Sequence, residues 1–333
     1  MLEDYSLLEM HLSVNEIYTP VQNLLTRVED VMQSQAENYH PDLKNALNLI
    51  LSSGGKRIRA AITLLSAKML GGADEPAVTL ASAIEMLHTA TLVHDDLIDG
   101  SLLRRGMPTL NSQWSPGATV LTGDFLFARA AKLAAETNSV AVMRIFAETL
   151  SIIVSGEITQ LFSQRYLADR DNYFSRIYAK TASLFETACT AAALLSNVPA
   201  STQKSLAAYG YNLGVAFQII DDILDFKGEQ LTLGKPVGSD LRQGLITLPA
   251  LIYMDNHPDD PHVNIIRNNN CLDDLSQTNQ LIHDISNSEA IALSLQEANS
   301  FIQNGKNALA DFPDSTEKSS LLHLADYIVS RNI

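Results

Sequence analysis

Two short strings in the sequence carry residue types able to do chemistry: Asp95-Asp96-Leu97-Ile98-Asp99 and Asp221-Asp222-Ile223-Leu224-Asp225. At about 3.6 residues per turn, positions i, i+1 and i+4 are expected on one helix face, so each string presents three carboxylates together. Both follow apolar runs, Ala90-Thr91-Leu92-Val93 before the first and Ala216-Phe217-Gln218-Ile219-Ile220 before the second. Aspartate is a mediocre interior helix former, and clustered carboxylates in apolar surroundings repel one another unless a cation neutralises them. Ligation by oxygen alone, with no cysteine nearby, selects a hard ion. Mg2+ held by a few carboxylates leaves its other positions to water and phosphate, so a phosphate-bearing ligand is expected.

Basic residues support that expectation in a chain poor in them. Arg104-Arg105 follow the first string, and Gly54-Gly55-Lys56-Arg57-Ile58-Arg59 puts Lys56 and Arg59 three apart on the first turn of a helix. That turn also offers free backbone N–H groups and the positive end of the helix dipole to an anion. The bland alternative is that each aspartate pair is a solvated helix face. It does not explain why two copies share one spacing and similar apolar flanks.

The elements that must position these residues are helices. Ile62, Leu65 and Met69 recur with a helical period, as do Phe217, Ile220 and Leu224, and alternating strand patterns are missing. The expected fold is an all-α bundle, broken at Ser52 to Gly55, Gly71-Gly72, Gly106 to Pro108, Ser115 to Gly117, Asn197 to Pro199 and Gly228 to Gly238. Residues 255–270 read as a polar linker, and 271–333 as a peripheral helical extension of the same domain. Hydrophobic residues make up 46% of the chain and charged ones 18%, which calls for a large core. With 23 Lys and Arg against 38 Asp and Glu, the net charge of −15 excludes a nucleic-acid groove or polybasic anchor as the main function. Two cysteines, Cys189 and Cys271, form no disulfide framework or C-x-x-C site. The acidic start Met1-Leu2-Glu3-Asp4 is unlike a secretory leader, and no uninterrupted apolar run has the length of a membrane span, so a cytoplasmic protein is expected.

At these residues the chain resembles the trans-isoprenyl diphosphate synthases, and among them the long-chain, octaprenyl- or solanesyl-type members. The matching strings are Gly54 to Arg59, Glu85 to Asp99, Leu103 to Thr109, Gly123 to Leu126, Gly156 to Ile158, Lys180 to Ala182, Phe217 to Asp222 and Gly234 to Pro236, covering about residues 45–250, the expected catalytic core. The resemblance implies a single-domain bundle around a central cavity, across which Asp95, Asp96, Asp99, Asp221, Asp222 and Asp225 hold three Mg2+ on an allylic diphosphate. It implies that Arg104, Lys180 and Lys235 bind that diphosphate, and that Lys56, Arg59, His88 and Arg105 bind isopentenyl diphosphate. Gln218, with Thr181 and the backbone carbonyls near Lys180, would face an allylic carbocation. The implied reaction is ionisation, condensation and elimination, with pyrophosphate taking the proton, carried out by a homodimer with at most transient membrane contact for product release.

The resemblance places the growing tail along the helix of the first string, so small residues at Ala90 and Thr91 imply an open tunnel and a product longer than a farnesyl chain. Ile153, Leu150 and Phe146 would descend one helix face, with Phe146 as the tunnel floor. His94 and Trp114 read as packing residues. Leu245 stands where many relatives carry a lysine, and the tail Arg331-Asn332-Ile333 is assigned no role. Three other readings compete. A di-iron bundle built on Glu37-x-x-His40 and Glu85-x-x-His88 leaves both aspartate strings unexplained. A terpene cyclase would not need a second diphosphate site. A non-catalytic partner subunit would usually have lost an aspartate string.

Overall fold

The structure, a computed structural model, describes residues 13–52, 55–104, 106–163, 166–227, 236–267 and 275–331. The all-α expectation holds. The helices are α1 (Val14–Ile17), α2 (Gln22–Ser34), α3 (Pro41–Ser52), α4 (Ile58–Met69), α5 (Asp74–Ile98), α6 (Leu110–Gln113), α7 (Pro116–Glu136), α8 (Val140–Phe162), α9 (Arg170–Ile177), α10 (Ser183–Leu195) and α11 (Ala200–Lys227). They continue as α12 (Ser239–Arg242), α13 (Leu248–Asn256), α14 (Pro261–Arg267), α15 (Leu275–Ser286), α16 (Ala290–Ala308) and α17 (Thr316–Val329). Among the described residues the only strand pairing is β1 (Leu103–Arg104) with β2 (Met107–Pro108).

Local chemistry sets the helix ends. Ser115 caps α7 by accepting from the Ala118 amide at 3.4 Å, with Pro116 in the first turn where a missing N–H costs nothing. Helix α5 stops just past the first aspartate string. Gly100 takes a φ of 64°, its N–H reaches the Leu97 carbonyl at 3.3 Å, and the Ser101 N–H reaches the Asp96 carbonyl at 2.9 Å. This pair of bonds satisfies carbonyls that would otherwise be orphaned, and glycine occupies the left-handed position without penalty. The chain then turns into the β1–β2 hairpin, which carries Arg104 back toward the helix it has just left.

Helix α5 is the centre of the bundle, packed by α2, α4, α7 and α10. By length and composition alone it could cross a membrane, but 72% of its most apolar window is buried inside the protein. Its apolar surface is used by the bundle. Helix α10 lies between α5 and α11, while α8 packs on α7 and α10.

The α10–α11 contact is a close backbone approach. A Cβ on Gly210 would come within 2.5 Å of the Phe185 carbonyl oxygen, and one on Gly214 within 2.6 Å of the Ala182 Cα. Residues 271–333, expected as peripheral, prove integral where described: α16 runs along α11, and α17 packs on α4 and α11. They cover the back of the helix that carries the second aspartate string.

Candidate active site

On α5 the partly open residues His88, Thr91, Asp95 and Asp99 recur at spacings of three and four, while Ala90, Val93 and Asp96 are buried. This stripe is one face of α5, and at its end Asp99 lines a cavity shared with α8 and α9. Position i+1 lies about 100° around the helix from i, so Asp96 leaves that face, a correction to the expectation of three carboxylates together. Arg104 Nε donates to both Asp96 oxygens at 2.9 and 3.0 Å, and its Nη2 adds a contact at 2.8 Å. Asp96 thus anchors Arg104 in a bidentate pair.

The second string behaves alike. The Asp221 side chain is 40% exposed, whereas Asp222 and Asp225 are buried. Asp222 accepts from Tyr173 Oη at 2.7 Å and from Gln218 Nε2 at 2.8 Å. Asp225 Oδ2 accepts the Asp240 amide at 3.1 Å, tying the chain after the second string back to α11. Of the six aspartates, Asp95, Asp99 and Asp221 are the ones open to solvent or ligand.

Between the strings, Tyr178–Ala182 forms a π-turn joining α9 to α10. Such a wide turn disturbs the regular ladder of backbone bonds and is often found at functional sites. Two consecutive residues in it face the two strings. Lys180 Nζ lies 3.1 Å from Glu157 Oε1 of α8 and beside Asp95, and Thr181 Oγ1 donates to Gln218 Oε1 of α11 at 2.6 Å. A Cβ on Gly156 would come within 2.5 Å of the Ala179 Cβ, so α8 presses directly on this turn.

The electrostatics fit an anion-and-metal site. Burial pushes the Asp95 carboxyl up to about 6; Lys180 and Arg104 pull it down, while Glu157 and Asp99 push it further up. Burial acts to lower the Lys180 ammonium, but Asp95, Glu157 and Asp99 outweigh it and hold it charged. Burial, with Asp240 adding to it, pushes Asp222 up to about 8 against the two hydrogen bonds it accepts. Crowded oxygen ligands that resist ionisation together are a set a hard divalent cation would relieve. A separate group, Asp260, His262 and Asp284, brings its ligand atoms within 4.8 Å of one another. There the Asp260 carboxylate caps α14, accepting the His262 amide at 2.7 Å, and accepts Tyr253 Oη at 2.8 Å.

A second basic cluster adjoins the first. The Arg59 guanidinium is 4.6 Å from the Phe185 ring centroid and 5.9 Å from that of Phe217, and Lys56 Nζ is 5.0 Å from the Tyr327 ring. Arg57 takes a left-handed φ of 47° at the start of α4 and turns to Glu29 and Glu85, so its charge serves the fold. Arg331 corrects the expectation that the tail has no role. Its guanidinium lies 4.1 Å from the Phe217 ring centroid, and Nη2 reaches Asp221 Oδ1 at 3.1 Å. The last turn of α17 brings it there, which no local pattern could reveal.

Other expected residues fall into place or outside view. His94 is a packing residue: its Nε2 is 3.1 Å from the Val120 carbonyl oxygen, and a Cβ on Gly123 would strike it at 2.1 Å. Phe146, Thr149 and Ile153 form the buried stripe of α8, with Leu150 only half buried. Leu245 lines a cavity of about 800 Å3 that opens at Asp99 and runs between α8, α9 and residues 243–246. Arg105, Lys235 and Cys271 lie outside the described residues. Sequence reasoning missed Tyr173 and the pairing role of Glu157, since each acts through a partner distant in sequence.

Comparison with known proteins agrees with this geometry. The sequence model of the polyprenyl synthetase family matches residues 40–283. The chain is 37% identical over 325 residues to a prenyl transferase of Synechocystis sp., covering 96% of this chain and 99% of that one. It is 33% identical over 328 residues to an octaprenyl diphosphate synthase of Haemophilus influenzae, covering 96% and 98%. The fold superposes with a TM-score of 0.89, at 34% identity, on the crystal structure of a polyprenyl synthase from Caulobacter crescentus complexed with calcium and isoprenyl diphosphate, covering 97% and 99%. With two aspartate strings bridged by the Lys180–Thr181 turn and a family match over most of its length, this chain belongs to the polyprenyl synthetase family and is a prenyltransferase.

Proposed function

We propose that the protein condenses an allylic prenyl diphosphate with isopentenyl diphosphate, head to tail, to give an all-trans polyprenyl diphosphate longer than a farnesyl chain. The observation that carries this reading is the π-turn, which sets Lys180 against the first aspartate string and Thr181 against Gln218, one turn before the second. One site then has cations for a leaving diphosphate and neutral dipoles for what it leaves behind.

Asp95, Asp99 and Asp221 would hold Mg2+, three ions in the family's manner, and Asp96 and Asp222 would act by orienting Arg104 and Gln218. The bound metal would neutralise the charge that grows on the departing pyrophosphate. Arg104 and Lys180, with Lys235, would grip the allylic diphosphate, and Arg104 arrives pre-oriented by Asp96. Lys56, Arg59 and His88, with Arg105, would hold isopentenyl diphosphate near the Phe185 and Phe217 rings. Once the carbon–oxygen bond breaks, Gln218 Oε1, Thr181 Oγ1 and carbonyls of the π-turn present partial negative charge without a competing nucleophile. The isopentenyl double bond attacks the cation, and the released pyrophosphate takes the proton. In a direct test the protein is incubated with Mg2+, labelled isopentenyl diphosphate and geranyl, farnesyl or geranylgeranyl diphosphate, and the dephosphorylated products are sized. No Mg2+-dependent incorporation would sink the reading.

Chain length would be set in the space between α5 and α8. Thr91 lies on the open stripe of α5, Ala90 is buried behind it, and Phe146 is buried on the stripe of α8 that leads away from Glu157. Phe146→Ala is expected to lengthen the product by one or more isoprene units on a product-sizing gel. An unchanged product distribution would remove Phe146 as the floor.

The homodimer reading is supported by apolar side chains exposed on α7 and α8, with Leu121 at 70%, Leu161 at 58% and Phe162 at 87%. Large apolar side chains this exposed are the kind an interface covers. Leu121→Glu combined with Phe162→Glu is expected to halve the mass measured by light scattering; an unchanged mass would place any interface elsewhere. The single-domain reading over 1–333, with its catalytic core at about 45–250, is supported by one buried core running from Ile17 to Ile328. Buried Cys189 is compatible with a cytoplasmic setting.

A further inference from the structure

The described residues that face the reaction include one amide, Gln218, whose two ends are chemically opposite. Its oxygen stabilises a neighbouring positive charge, and its NH2 group repels one. A glutamine amide can turn over with little change in shape, so something must select the useful orientation. Asp222 does so. Gln218 Nε2 donates to its Oδ1 at 2.8 Å, which leaves Gln218 Oε1 on the Thr181 side, 2.6 Å from Thr181 Oγ1.

Asp222 is itself held from the other side. Tyr173 of α9 is 1% exposed, and its hydroxyl donates to Asp222 Oδ2 at 2.7 Å. Nothing in the condensation itself uses a phenol at that depth. We infer that Tyr173 is a positioning residue: by fixing the Asp222 carboxylate it fixes the polarity of the Gln218 amide, keeping the amide oxygen toward the allylic cation. The inference rests on the proposed role of Gln218.

The relay joins three elements, α9 through Tyr173, α11 through Asp222 and Gln218, and the π-turn through Thr181. Its members should act as a unit. Tyr173→Phe keeps the ring in place and removes only the donor. It is expected to lower kcat by about 10–100-fold, as loss of an outer hydrogen bond commonly does, while KM for both diphosphates and the Mg2+ concentration giving half-maximal rate stay within about twofold. In a Gln218→Ala background, Tyr173→Phe should cost less than about twofold more, because the amide it orients is gone.

The test is steady-state kinetics of the full chain with geranyl diphosphate, isopentenyl diphosphate and a Mg2+ titration, with thermal unfolding run alongside. Three results would overturn the inference: an unchanged kcat in Tyr173→Phe, losses that multiply with Gln218→Ala, or a loss that appears as a raised Mg2+ requirement. If Tyr173→Phe unfolds, Asp222→Asn replaces it. Its NH2 group lets Gln218 turn over, so it should give the same kcat loss with the same unchanged KM values, and a wild-type kcat there overturns the inference. Wild-type protein without Mg2+-dependent incorporation would defeat the reaction itself and this inference with it. Wild-type turnover with an indifferent Tyr173→Phe defeats the inference alone.

Discussion

Asp95→Ala and Asp221→Ala are each expected to reduce kcat by about 10²–10³-fold, the cost of removing one preorganised group that stabilises charge developing in a transition state, and to raise the Mg2+ concentration needed for half-maximal rate. Asp96→Asn should behave differently. Asp96 is buried and both of its oxygens are engaged by Arg104, so its loss releases a guanidinium and leaves the open carboxylates in place. The expected signature is a raised KM for the allylic diphosphate with a nearly unchanged Mg2+ requirement. The two classes separate in a Mg2+ titration at saturating substrate. If Asp96→Asn shifts the metal requirement as far as Asp95→Ala does, the division of labour between i and i+1 is wrong. Asp221 adds a further contrast, because Arg331 shares it. Removing Asp221 therefore also frees the end of α17.

Gly214→Ala should damage both stability and turnover, through backbone that cannot give way. The new Cβ would lie 2.6 Å from the Ala182 Cα and 2.9 Å from the Phe185 Cβ, so α10 and α11 must part. Overpacking of this kind costs about 1–3 kcal/mol. Because Thr181 and Gln218 meet across that same crossing at 2.6 Å, a few tenths of an ångström of separation also loosens the cation-facing dipoles. Gly210→Ala, with a Cβ 2.5 Å from the Phe185 carbonyl oxygen, should show a similar loss of stability, with a smaller effect on kcat because it sits one turn further from Gln218. Gly117→Ala is the control. No atom comes within 4 Å of its added Cβ, and alanine is favoured over glycine in a helix by up to about 1 kcal/mol. Thermal unfolding and kcat measured on the three variants decide the matter. A Gly214→Ala protein as stable and active as Gly117→Ala would mean that the α10–α11 contact yields more easily than its geometry implies.

Much of this protein was legible in its sequence because the deciding physics is local. The helical period of apolar residues dictates a bundle, and the break expected at Ser115 to Gly117 is where Ser115-Pro116 starts α7. Two D-D-x-x-D strings in apolar helices point to a cation and, with the basic residues near them, to a phosphate. The sequence could not divide each string's labour. That division depends on which neighbour reaches the carboxylate lying about 100° off the common face. For Asp96 the neighbour is Arg104, eight residues on, and for Asp222 it is Tyr173, 49 residues earlier. The π-turn at Lys180–Thr181 has no propensity signal, since it arises where α9 and α10 join between α8 and α11. Arg331 stands 110 residues from Asp221, and only the docking of α17 makes them neighbours. By itself, then, the sequence determined the helices and pointed to a metal-assisted phosphate site, since both follow from residue type and short spacing. The tertiary structure alone decided which carboxylates remain open and which are taken up by a neighbour, because that depends on partners brought together by packing.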